Sequence, residues 1–209
     1  MKKYILLFII LSLPIIVAFS QEDKQDLEKR LSEIYNTDQS IRKSLGEINS
    51  KYAGKAELKE KMDSVISQML KIDKENQQFI SAMLDSDGWP SGLSFEGNMA
   101  IFMVIQHGGP DYMNKYASVV EEEYTKGNII PSLYAIFRDR ILMYADKFQI
   151  YGSQIVNGYV WPIEDPENVD IRRKEMDLSP MEEYLKLFGN TAIWDKNITI
   201  EDIKAKMRH

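Results

Sequence analysis

The sequence predicts a mainly α-helical single domain carrying one small β-hairpin. Three observations lead there. Two long stretches near the N-terminus share a 4-3 apolar repeat and are joined by a short polar turn. A nearly unbroken apolar segment ends at paired glycines. One Asn-Gly pair stands between runs of β-branched and aromatic residues.

The first repeat, over residues 22 to about 50, sets Leu27, Leu31, Ile34, Ile41, Leu45 and Ile48 on one face, and the second, over 57–86, does the same with Leu58, Met62, Val65, Met69, Ile72, Phe79 and Met83. Apolar residues three and four apart fall on one side of a helix. The turn Tyr52-Ala53-Gly54-Lys55 makes the pair an antiparallel hairpin. Gly88-Trp89-Pro90 stops the second helix. Residues 97–107, "GNMAIFMVIQH", read as a buried helix ended by Gly108-Gly109-Pro110. Asp111 opens a polar helix to about Lys126, where Glu121-Glu122-Glu123 reads as a solvated face. Pro131 starts another helix, to about Lys147.

The pattern then changes. Across 148–163 the Asn157-Gly158 pair predicts a two-residue hairpin loop, because both positions want positive φ. That register sets Val156 opposite Tyr159 and Gln154 opposite Trp161. Ser179-Pro180-Met181-Glu182 reads as a capping box opening a helix that Gly189 closes, and Thr199 as the cap of a last short helix.

Residues 1–20 stand apart. Met1-Lys2-Lys3 precedes a run that is apolar from Tyr4 to Val17, and Ala18-Phe19-Ser20 places small residues before a cut at Gln21. This is the pattern of a secretory signal peptide, and the expectation is export to the periplasm or beyond, with no membrane association after cleavage and a mature domain over 21–209. Loss of Lys2 and Lys3 would take the formal charge from −6 to −8. No contiguous basic tract remains, which argues against nucleic acid as a partner. The chain has no cysteine and only two histidines, one of them the terminal His209. Disulfides are therefore excluded, and no metal or other cofactor is expected. Nor is there a Gly-rich phosphate loop, a Gly-x-Ser-x-Gly elbow or a calcium loop.

The candidate site rests on polar residues in apolar places. Asp38 fills the one gap in the first repeat, with Arg42 a turn later. Asn76 fills a gap in the second, with Asp73 a turn before. Leu133, Phe137, Arg140 and Tyr144 form a stripe, and Asp139 precedes Arg140. His107 closes the apolar run. An unpaired buried charge costs several kcal/mol, so these groups must pair or face water. Arg42 and Arg140 are the natural donors for Asp38 and Asp73. The set reads either as a network fixing helix register or as converging acid, base and anion-binding groups. His107 is the side chain suited to general acid–base work, with Asp38 or Asp139 to orient it.

Taken in order, "DQSIR" at 38–42, "DKEN" at 73–76, "GWP" at 88–90, "QH" at 106–107, "DR" at 139–140, "QIYGSQ" at 149–154 and "RRKEMDLSPMEEY" at 172–184 resemble a family of bacterial proteins classified only as a domain of unknown function. The resemblance spans about residues 35–185. Ser153 stands where the family usually has Thr, and Gly108-Gly109 where Ala is more usual. The resemblance implies no activity. Its motifs fall on Asp38, Arg42, Asp73, Asn76, Gln106, His107, Asp139, Arg140, Tyr151 and Gln154. The leading expectation is an exported protein with a polar pocket for a small polar or anionic ligand. A hydrolase using His107 with Asp38 or Asp139, and a helical interaction module with a structural polar network, are the alternatives. The sequence identifies no protein partner.

Overall fold

The computed structural model describes residues 21–189 and 191–207. The signal-peptide expectation for residues 1–20 lies outside them. Helix α1 (Gln21–Tyr52) and helix α2 (Leu58–Asp87) form the antiparallel hairpin, and α3 (Phe95–His107), α4 (Pro110–Thr125) and α5 (Pro131–Tyr144) follow. The two-residue strands β1 (Ile155–Val156) and β2 (Tyr159–Val160) pair antiparallel, and three short helices complete the chain: α6 (Val169–Glu175), α7 (Met181–Lys186) and α8 (Ile200–Lys206).

Helix α3 is the centre of the core. Met99, Ala100, Ile101, Phe102, Val104 and Ile105 are all buried, and they join Leu31 and Ile34 of α1, Ile80 and Leu84 of α2, Met113, Tyr116 and Val120 of α4 and Phe137 of α5. A helix apolar on every side has to be enclosed by others. Ser94 starts it by accepting from the Gly97 N–H, the ordinary N-cap arrangement.

The hairpin is longer than the partner it packs on. On α1 no residue after Asp38 is fully buried, and on α2 Val65 is the only such residue before Asn76. Ile41, Leu45 and Ile48 are half-buried. The seam loses its third wall where α3 ends, at Gln106 and His107. Asp38 therefore occupies the last covered turn of α1.

The turn at Asn157-Gly158 forms as the sequence predicts, with φ of 48° and 79°, and it sets Val156 opposite Tyr159. The Trp161 N–H donates to Gln154 O. Three expectations need correction. Helix α5 ends at Tyr144, not near Lys147, because Asp146 turns into the left-handed region. Ser179 does not cap α7: the Met181 N–H donates instead to Asp170 Oδ1, so a carboxylate brought in by α6 replaces the local serine. Glu123 is not solvated. It is 3% exposed, and it accepts from Lys126 Nζ and Asn128 Nδ2, which fold back over the end of α4.

Gly152 is confined from two directions. Its φ is +73°, and a Cβ there would lie 2.7 Å from both Ile163 Cδ1 and Met181 Sδ. Gly152→Ala is expected to cost about 2 kcal/mol, from left-handed strain and overpacking together. Urea unfolding checks this, and an unchanged midpoint would show that Ile163 and Met181 yield freely.

Candidate functional site

Two polar assemblies lie on either side of the C-terminal end of α3. The first joins α1, α2 and α3. His107 Nδ1 is 3.0 Å from Asp38 Oδ1, and Arg42 reaches the same oxygen through Nε at 3.1 Å and Nη2 at 3.0 Å. Arg42 Nη2 also bonds Asp73 Oδ1 at 2.7 Å, while Nη1 is 3.1 Å from Met69 Sδ. Gln39 Nε2 donates to Asp38 Oδ2 at 2.9 Å. Asp38 is 1% exposed, so its charge survives on these donors alone. Burial pushes its carboxyl pKa up; His107 and Arg42 more than offset that and hold it below the ordinary carboxylate value.

His107 Nδ1 has a partner in either tautomer. A carboxylate oxygen only accepts and a guanidinium N–H only donates, so a protonated Nδ1 donates to Asp38 Oδ1 at 3.0 Å and a bare Nδ1 accepts from Arg42 Nε at 2.8 Å. No described residue bonds Nε2. With its side chain 20% exposed, the ring stands partly open to solvent beside a buried carboxylate, an arrangement suited to general acid–base work. Gly108 sits directly behind: a Cβ there would lie 2.4 Å from Tyr112 Cδ1, so the missing side chain admits the Tyr112 ring beside the helix end.

The second assembly joins α5 to the loop 149–154. Asp139, fully buried, accepts the backbone N–H groups of Ile150 at 2.7 Å, Tyr151 at 3.0 Å and Ser153 at 2.9 Å. Burial raises its pKa above the ordinary value despite those three donors. Gln149, also fully buried, donates to the carbonyls of Gln154 and Trp161 and accepts from the Gln154 N–H. From α6, Arg173 bonds Ser179 O and Tyr151 O beneath the Tyr184 ring, and Arg172 bonds Ile150 O. The loop's backbone is thus held from both faces.

Arg140 lies between the assemblies. Its Nη1 donates to Gln106 O at 3.2 Å, a carbonyl at the end of α3, and its Nε to Gln154 Oε1 at 3.3 Å. Both acceptors are neutral. The charged or titratable side chains acting on it are Tyr144, Arg42 and Tyr184, and among the described residues no carboxylate pairs with it. Burial, assisted by Arg42, pulls its pKa below the ordinary guanidinium value, yet it stays a cation.

Asp38, Arg42, Asp73 and His107 are therefore in one cluster. Arg140 adjoins it through Gln106. Asn76 lies one turn from Asp73, and its Nδ2 is buried without a partner among the described residues, as is Gln106 Oε1. Asp38, not Asp139, stands at the imidazole. Asp139, Tyr151 and Gln154 belong to the loop assembly, with Gln154 touching Arg140. Arg42 also lines an open depression of about 700 Å³ with Lys43, Gly46 and Glu47 on α1. A second depression, of about 400 Å³ between Tyr159 and Lys206, holds none of these residues. Sequence reasoning missed Gln149, Arg172 and Arg173 as individual residues, although all three fall in the motifs quoted. Among the described residues no group of three or more His, Asp or Glu side chains could hold a metal ion. No described helix is long and apolar enough to cross a membrane.

A family model described as a family of unknown function (DUF6624) matches residues 25–194, most of the chain. No curated protein matches, and no solved structure does.

Proposed function

The chain belongs to DUF6624, a family of unknown function, and we propose that it binds a small anionic ligand between Arg140 and His107, at the end of α3. One observation carries this reading: Arg140 is a largely buried guanidinium held only by neutral acceptors. A cation withdrawn from water and given no counter-ion is unfavourable unless an anion arrives from outside. Arg42 does not compete for that anion, because its donors already serve Asp38, Asp73 and Met69.

Thermal unfolding of the full chain in acetate or phosphate, with chloride at equal ionic strength as control, tests the reading. The midpoint should rise with either probe, as for any ligand that binds only the folded state. Arg140→Met should fold and lose the rise. An equal rise in that variant, or none in the unaltered protein, would remove Arg140 as the anion's partner.

The Asp38–His107 contact supports a second reading, in which the bound anion is a hydrolase substrate. His107 Nε2 would take a proton from water and return it to the leaving group. Release of p-nitrophenol from p-nitrophenyl acetate, compared with His107→Gln, tests it. We also propose export with cleavage before Gln21, which the intact mass of secreted material would test.

A further inference from the structure

We infer that Arg42, not Asp38, selects the tautomer of His107 and holds the neutral ring with its proton on Nε2. This rests on the second reading of the site, that of a hydrolase base, and names what restrains that base. Nδ1 stands between a donor and an acceptor, Arg42 Nε at 2.8 Å and Asp38 Oδ1 at 3.0 Å. Whichever of the two Nδ1 bonds decides where the ring's single proton goes. No described residue bonds Nε2, and the side chain is 20% exposed. Water serves Nε2 as donor or acceptor alike, so the choice falls at Nδ1.

The crowding of donors on Asp38 Oδ1 makes that choice. Arg42 Nη2 lies 3.0 Å from this oxygen and Arg42 Nε 3.1 Å. A carboxylate oxygen has two lone pairs. A proton on Nδ1 would bring a third donor to it, with the Nδ1 and Nε hydrogens meeting across 2.8 Å. A bare Nδ1 gives the donors enough acceptors. Nε then serves Nδ1, Nη2 serves Asp38 Oδ1 and Asp73 Oδ1, and Gln39 Nε2 serves Asp38 Oδ2. The Nδ1 lone pair faces Oδ1 in this form. The Nε hydrogen is within bonding reach of both atoms, and its positive charge offsets their repulsion. The two carboxylates act by anchoring the guanidinium fork against the ring.

A base working from Nε2 needs the lone pair of that nitrogen, and a ring protonated there has none to give. Arg42 is therefore a positioning residue that keeps the base at rest. Drawing Nε off the ring lets the imidazole give its Nε2 proton to water and take one on Nδ1, which then donates to Asp38.

Nitrogen NMR of the full chain, at a pH above the ring's own titration, tests this. In the unaltered protein Nδ1 should resonate as the bare, pyridine-type nitrogen and Nε2 as the protonated, pyrrole-type one. Arg42→Met should exchange the two. Arg42→Lys should do the same and serves if the methionine variant does not fold. It keeps a cation for Asp38 and Asp73, but its single ammonium is drawn to those carboxylates rather than to a neutral imidazole. A protonated Nδ1 in the unaltered protein overturns the inference, as does a bare Nδ1 that persists in the variants. Where the unaltered protein releases p-nitrophenol through His107, Arg42→Lys should release it several-fold faster, and an equal or slower rate overturns the restraint. The expected tautomers with no release that depends on His107 would remove the hydrolase reading and leave Arg42 as the selector. A protonated Nδ1 with such release would do the reverse.

Discussion

Asp139→Ala should lower the unfolding free energy by about 3–5 kcal/mol. The carboxylate is fully buried and satisfies three backbone N–H groups of the loop 149–154 at once. Its removal leaves three buried donors without an acceptor, each worth about 1–3 kcal/mol, partly recovered by relaxation and by no longer burying a charge. Asp139→Asn keeps one carbonyl oxygen but turns an NH2 toward the remaining donors, so it should cost about half as much. The pH dependence gives an independent check. Asp139's folded-state pKa is raised, so the stability linked to its protonation is fully present below its unfolded pKa of about 4 and is lost as pH rises through the folded value. The asparagine variant lacks that loss, so its deficit should narrow as pH rises from about 4. Urea midpoints at several pH values measure both effects. A deficit of under about 1 kcal/mol for the alanine variant would mean that Gln149, Arg172 and Arg173 hold the loop without Asp139.

Why the sequence revealed some of this and not the rest follows from particular residues. The α1–α2 hairpin was legible because its repeat is long and its turn short, and Asp38 stood out because it broke an otherwise regular seam. The β-turn was legible because the Asn-Gly pair is a local signal. Asp139 and Arg140 were read together, and the structure parts them. Neighbouring residues on a helix point about 100° apart, so Asp139 reaches the loop while Arg140 reaches α3. Arg173 gave no signal: a buried arginine that bonds carbonyls reads in sequence like any surface arginine. Ser179 gave a false one, because Asp170 arrives from another element to take the Met181 N–H. Asn76 fills a gap in the repeat, but that its Nδ2 meets no partner among the described residues is a property of the packed structure alone.

The largest effect in the α1–α3 cluster should come from Arg42→Met, at about 3–5 kcal/mol. The guanidinium is the shared partner of two carboxylates, one of them 1% exposed. Breaking a buried ion pair from one side leaves an uncompensated charge, and here it strips Asp73 of its partner and leaves Asp38 only His107 and Gln39. Asp38→Leu should be milder, since leucine restores the apolar repeat and Asp73 keeps Arg42 paired. The double variant then separates a device for helix register from a working site. If Asp38 and Arg42 are bound to each other as the distances indicate, the cycle should show a coupling of about 1–3 kcal/mol, and a coupling under about 0.5 kcal/mol would dissolve the pair. Acid titration carries the opposite sign to that of Asp139. Asp38's folded-state pKa is depressed, so its contribution is present above its unfolded pKa of about 4 and is lost as pH falls through the folded value. Arg42→Met removes one of the two partners that lower it, so this loss should be smaller in the variant and complete at a higher pH. A register device requires only that the fold survive when both charges go. A binding site requires in addition that Asp38→Leu, though folded, alter where the His107 ring carries its proton, and the imidazole nitrogen shifts in NMR report that directly.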